Sequence, residues 1–207
     1  MPNNKVYRTG MGYATATARQ DYLSFHGLDG DEVTTDLAAS KDGPLYPWQL
    51  HSLLGPERIE GLITSFYTRV YADKGEYKWF KDAFERISPV EHHIMTQTQF
   101  WIDTMGGGRA YHGGDYRLNF HHEHNAHQVM NADGAKRWMH HMRLAIAEQD
   151  YRKLDKRIKP AILDFLRVKM SKYAGQHGWE FTAEDFAPLE GPEELGSEGD
   201  GSAGEAG

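Results

Sequence analysis

Between Pro56 and Asp73 the apolar residues Ile59, Leu62, Ile63, Phe66, Tyr67 and Val70 recur at intervals of three and four. That spacing gathers all six on one side of a helix; a strand would scatter them over both of its faces. A helix so one-sided must lay its stripe against other elements to be stable. No stretch of useful length alternates apolar and polar residues, so those elements are helices too. The fold class read from the pattern is all-α.

The punctuation agrees. Pro56 suits the first position of this helix and Glu57 its first turn, where the dipole is positive. Pro47, in the apolar cluster Leu45-Tyr-Pro-Trp48, is a second place to start one. The helix should stop near Asp73–Gly75, before the aromatic segment Tyr77-Lys-Trp-Phe80 with Phe84 and Ile87 behind it. Ser88-Pro89-Val90-Glu91 opens the next helix: Ser as cap, Pro first, Glu three residues after the cap. It runs to about Met105 and ends at Gly106-Gly-Gly108. His93, Gln97 and Phe100 or Trp101 share one of its faces, an odd mixture for plain core. Asn131 or Asp133 caps a helix reaching about Gln149, with Trp138, Met142, Ala145 and Ile146 inward. Asp155 is the expected cap of the last long helix, whose stripe is Ile158, Ile162, Phe165, Leu166, Met170 and Tyr173. Pro160 falls in its first turns and Gly175 and Gly178 mark its end.

A chain of 207 residues fits one domain with appendages. Residues 1–45 are polar with no sustained period and read as an irregular extension, with one helical turn near Tyr22–Phe25. Residues 46–180 hold the helical domain. From 181 to 207 Gly, Glu, Ser and Ala dominate, a composition expected to stay disordered. The net charge of −7 argues against nucleic acid, which calls for a basic stripe. There is no cysteine, so disulfides, thiolate catalysis and Cys-ligated metals are excluded. No run approaches the roughly 18 apolar residues of a membrane span, and a cytoplasmic protein is expected.

The chemistry concentrates after a glycine-rich loop, in Tyr111-His-Gly-Gly-Asp-Tyr-Arg-Leu-Asn-Phe-His-His-Glu-His-Asn-Ala-His-Gln-Val129. His121, His122, His124 and His127 are four of the chain's twelve histidines. Imidazole is the commonest metal-ligand side chain and a frequent axial ligand of haem iron. His121, His124 and His127, spaced by three, could also share a helical face and bind zinc or another divalent metal with Glu123. That is the alternative reading.

The order of elements resembles that of the truncated haemoglobins across residues 48–175. Phe66-Tyr67-Thr-Arg-Val70, Phe80, Phe100-Trp101 before Gly106-Gly107, Tyr111, Arg117-Leu118, and Trp138 with Met142 carry the likeness. Trp138 is similar to the tryptophan that one group of the family bears on its penultimate helix. The resemblance implies a two-over-two helical sandwich around haem b. Counted without gaps from Gly106, the axial position falls on His124, with Val129 at an apolar place five residues on. His121, His122 and His127 are the other candidates, and the chain has one residue more than the family pattern before Trp138. The resemblance also puts Tyr67, His93, Gln97 and Trp138 around the sixth coordination position. Phe80, Phe100, Trp101 and Tyr111 would pack on the haem; Arg117 or Arg109 would pair with a propionate.

In a dry pocket, hydroxyl, amide and indole donors over the iron would each hold a bound ligand by roughly 1.5–3 kcal/mol. The implied function is reversible binding of oxygen and other small ligands at haem iron, with possible nitric oxide dioxygenase or peroxidase-like turnover. Its partners would be oxygen, nitric oxide or peroxide, and turnover would draw on an external electron donor. A sensing module on the same fold, without turnover, is the nearest competitor.

Overall fold

The structure, a computed structural model, describes residues 10–30, 42–112 and 114–189. Seven α-helices are present among them: α1 (Tyr13–His26), α2 (Leu50–Tyr71), α3 (Lys78–Ile87), α4 (Val90–Thr104), α5 (Gly114–Phe120), α6 (Ala132–Glu148) and α7 (Ile158–His177). The sole β pairing among the described residues is an isolated bridge between Gly10 and Gly107.

α2 is two helical pieces joined at Gly55, whose φ of 68° and ψ of 168° break the run. A side chain there would be strained, and the next residue, Pro56, starts the second piece where its missing N–H costs nothing. The stripe behaves as its spacing requires: Ile59, Leu62, Ile63, Phe66, Tyr67 and Val70 are all buried. They pack against α4 and α6, and α6 in turn against α7. The result is a sandwich of two helix pairs, α2 with α4 and α6 with α7. Asn131 caps α6 by accepting from the Gly134 N–H at 3.0 Å. Gly134 is required for a different reason: a Cβ there would stand 2.1 Å from the Val129 carbonyl oxygen.

Four expectations need correction. Ser88 does not cap α4: Pro89 holds the cap position with no side-chain cap hydrogen bond, and the helix begins at Val90. Residues 13–26 form a 14-residue helix, not a single turn near Tyr22. The inward face of α1 is Ala14, Thr15, Ala18 and Tyr22, too small and polar to register as a stripe. Its docking is polar instead. Thr15 donates its N–H to Asp103 Oδ1 at 3.1 Å, Tyr22 OH donates to Asp164 at 2.7 Å, and Lys169 and Lys172 of α7 reach Asp21 at 3.0 and 2.9 Å. Asp103 is fully buried, and a Cβ on Gly12 would lie 1.9 Å from its Oδ1. Asp155 does not cap α7. Its carboxylate accepts from the Arg157 N–H at 2.8 Å and grips the Arg157 guanidinium, and the helix begins at Ile158. Finally, residues 181–189 carry structure. Ala183–Phe186 is a 3-10 turn, Phe181 and Phe186 pack on the core, and Arg143 donates to the Ala187 carbonyl at 2.8 Å. The rest of the expected tail, 190–207, lies outside the described residues, as do 1–9 and 31–41 of the N-terminal extension.

One buried ion network sits where α2 ends. Asp73 accepts from Arg137 Nε at 3.0 Å and from His141 Nε2 at 2.9 Å, both on α6, while Arg137 lies 3.8 Å over the Tyr77 ring. It joins the α2–α3 connection to the helix that carries Trp138.

Candidate functional site

A cavity of about 390 Å³ opens among α2, α3, α4, α6, α7 and the segment from α5 to Met130. Phe80, whose side chain is fully buried, and Phe84 line it from α3, and Phe100 and Trp101 from α4. Trp101 is braced edge-on by Phe165 of α7 with centroids 5.7 Å apart. Tyr111 meets Phe100 edge-on at 5.3 Å and carries Arg117 over its ring at 5.0 Å. Val129 closes the same wall. All six residues expected to contact a cofactor (Phe80, Phe100, Trp101, Tyr111, Arg117 and Val129) thus line one cavity.

The polar set faces this space from α2, α4 and α6. Tyr67, 3 % exposed, donates its hydroxyl to Gln97 Oε1 at 2.7 Å. Because Gln97 Oε1 accepts, its NH₂ group stays available as a donor. His93 stacks on the Tyr67 ring at 5.4 Å and donates Nε2–H to the Phe84 carbonyl at 3.0 Å. Burial pushes the His93 pKa down and raises that of Tyr67, so both are neutral near pH 7. Trp138, tilted against Phe66 at 4.9 Å, completes the group.

The histidine segment is where the structure departs furthest from the even spacing. After Phe120 the helix widens into a π turn, His121–Asn125, closed by the Ala126 N–H donating to the His121 carbonyl at 2.9 Å. A bond to the fifth residue reduces the rotation per residue, so positions three apart no longer superpose as on an α-helix. His121 and His122 line the cavity; His124 and His127 do not. His124 is exposed, stacked on Phe120 at 4.1 Å, with Nδ1–H donating to the Phe120 carbonyl at 3.0 Å. The helical zinc face also fails to form. Among the described residues no three His, Asp or Glu side chains stand together as a metal site.

His122 is the histidine of this segment whose environment is most perturbed. Burial, reinforced by His121 and His177, pushes its pKa down to about 3, which keeps the imidazole in the neutral form that metals bind. Its Nδ1 is buried without a hydrogen-bond partner, and Tyr173 packs edge-on against the ring at 4.8 Å.

The lining has a second property. Among the described residues it contains no Asp or Glu, although the chain carries a net charge of −7. Its charged members are Arg117 and Lys169, the latter 5 % exposed and reached from behind by Asp21. Apolar walls with cationic groups and no carboxylate suit a flat apolar molecule bearing acid groups, which is what haem is. Lys169 was not singled out in the sequence. The signal existed, since it falls on the Phe165–Leu166–Met170 stripe, where a lysine is out of place. Tyr173 was read as core only, and Trp179, just past α7, had no periodic context.

A helical sandwich enclosing this cavity is a globin. The chain belongs to the bacterial-like globin family, whose model matches residues 50–172. It is 32 % identical over 118 residues to Two-on-two hemoglobin-3 of Arabidopsis thaliana, covering 57 % of this chain and 64 % of that protein. It is likewise 32 % identical over 118 residues to Group 2 truncated hemoglobin 3-1 of Lotus japonicus, at 57 % and 67 % coverage. The chain therefore spans just under two thirds of the Arabidopsis protein's length. It is a globin of the truncated haemoglobin type. No helix among the described residues is long and apolar enough to cross a membrane.

Proposed function

We propose that this globin holds haem b with His122 as the axial ligand and binds oxygen and other small ligands beside Tyr67, Gln97, Trp138 and His93. The observation that carries the reading is the pairing across one carboxylate-free cavity of a half-buried neutral histidine with a hydrogen-bonded Tyr–Gln pair. Haem supplies an iron centre for reversible ligation of small molecules. His122 would present a neutral nitrogen, and Arg117 would pair with an acid group at the haem edge, Lys169 being already paired with Asp21. Phe80, Phe84, Phe100 and Trp101 exclude water. Tyr67 orients Gln97 so that its NH₂ group and the Trp138 indole N–H are left as donors to an incoming ligand. The Trp138 position supports membership of the group with a tryptophan on the penultimate helix.

Donors crowded on one side suit capture or chemistry of the ligand more than its rapid release. Nitric oxide dioxygenase or peroxidase-like turnover, in a cytoplasmic setting with an external electron donor, is the activity this favours. The test is an absorption spectrum of protein loaded with hemin, reduced, and then exposed to carbon monoxide. A Soret band that shifts with carbon monoxide is expected, retained in His124→Ala and lost or replaced by a weakly ligated spectrum in His122→Ala. No Soret band would end the haem reading, and the reverse pattern in the two variants would return the ligand to His124.

A further inference from the structure

A second recess, of about 270 Å³, lies between α3 and the segment that follows the π turn, and shares Ile87, Asn125, Ala126 and Val129 with the haem cavity as a common wall. Its polar lining is Arg86, His124, Asn125 and Gln128, with no carboxylate. The acids nearest in sequence on α3 are already engaged: Asp82 with Lys78, and Glu85 with Lys81 at 3.4 Å. Arg86 donates one guanidinium nitrogen to Gln128 Oε1 at 2.6 Å. That bond spends the amide's acceptor and leaves its NH₂ group, and the rest of the guanidinium fork, as donors. His124 cannot act as an acceptor through Nδ1, which is committed to the Phe120 carbonyl. The recess therefore offers a planar cation and amide donors, with the His124 Nε2 lone pair as its remaining ring acceptor.

We propose that this recess is a binding site for a small planar oxyanion, a carboxylate or a nitrate-like group, held by Arg86 with Gln128 and Asn125. A planar guanidinium fork matches such an anion through two parallel hydrogen bonds, which a lysine cannot reproduce. The shared wall allows two sources: an acid group reaching over from the haem edge, or a free anion from solution. Only the first rests on the haem reading.

The experiment follows the Arg86 Nε and the Asn125 and Gln128 side-chain amides by NMR during titration with sodium acetate and sodium nitrate at fixed ionic strength. Haem-free protein, hemin-loaded protein and protein loaded with hemin dimethyl ester are compared. A saturable shift in the haem-free protein, lost in Arg86→Gln and only weakly recovered in Arg86→Lys, is expected. If hemin abolishes the shift and the dimethyl ester does not, the occupant is a haem acid group. Arg86→Gln should then lose hemin about tenfold faster to an acceptor globin, as for one charge-assisted hydrogen bond. If the shift persists with hemin bound, the occupant is a free anion. The absence of a saturable shift in haem-free protein, together with unchanged hemin loss in Arg86→Gln, overturns the site. Should the protein take up no hemin at all, the haem reading fails while the haem-free titration still decides the recess.

Discussion

Replacing Asp73 with Asn keeps the shape of the residue and removes its charge, and so isolates what the ion network contributes. The side chains of Asp73 and His141 are each 5 % exposed and that of Arg137 is 16 %. Removing one partner of a pair this buried leaves a cation without compensation, at a cost of about 3–5 kcal/mol. For a chain of this size that lowers the melting temperature by roughly 6–20 °C. The pH dependence gives a sharper signature. Desolvation pushes the Asp73 pKa up, but hydrogen bonds from Arg137 and His141 outweigh it and hold the group below its ordinary 3.8. A depressed carboxyl stabilises the fold above pH 3.8, and that contribution is lost as pH falls through the folded value. Asn does not titrate, so below pH 3.8 the gap between wild type and variant narrows. His141 moves it the other way first. Burial lowers its pKa below 6.5, with Asp73 opposing. Without that carboxylate, burial, joined by Arg137 and His140, acts unopposed, and the variant sheds extra stability as pH drops below 6.5. Urea unfolding of haem-loaded protein from pH 7.5 to 3 should therefore show a gap that widens below 6.5 and closes below 3.8. A gap under about 1 kcal/mol at pH 7.5, or one constant across the range, would refute the reasoning.

Tyr67→Phe removes the hydroxyl that orients Gln97; loss of one such bond in a dry site is worth about 1.5–3 kcal/mol, so oxygen dissociation by stopped flow should quicken roughly ten- to hundredfold. An unchanged rate in both Tyr67→Phe and Trp138→Phe would remove the role given to that face. Gly12→Ala forces a methyl group onto Asp103. Amide exchange in Tyr13–His26 should accelerate while α2 and α6 stay protected, and equal protection throughout would mean that α1 accommodates the methyl. Thr15→Val should act in the same direction, since Asp103 loses the Thr15 hydroxyl.

The helices that build the sandwich were legible because each carries a wide apolar stripe between clear stops: Pro56 after Gly55, Ser88-Pro89, Asn131, Gly178. The cofactor-facing aromatics followed from the same stripes and the family pattern. Three things were not. α1 docks by Thr15, Asp21 and Tyr22 onto charged partners far along the chain, and hydrophobic period is blind to such pairings. The orientation of the histidines depends on a π turn, and nothing in His121-His-Glu-His124 distinguishes five-residue closure from four. That difference turns His124 away from the face of His121, which lines the cavity with His122. Asp155 was misplaced for a local reason: its carboxylate is taken by Arg157 two residues on, and the helix starts one residue later.

The family match begins at residue 50, and the helix before it makes that boundary a poor place to cut. A truncation starting at Leu50 would keep every element of the sandwich and every residue of the haem cavity. It would also leave the buried Asp103, in the last turn of α4, without the Thr15 N–H and hydroxyl, and Lys169 in the cavity wall without its counterion. The stretch that matches a family and the stretch that folds as a unit are thus different things. In this chain the segment from residue 50 leans on α1, through buried polar groups that α1 satisfies.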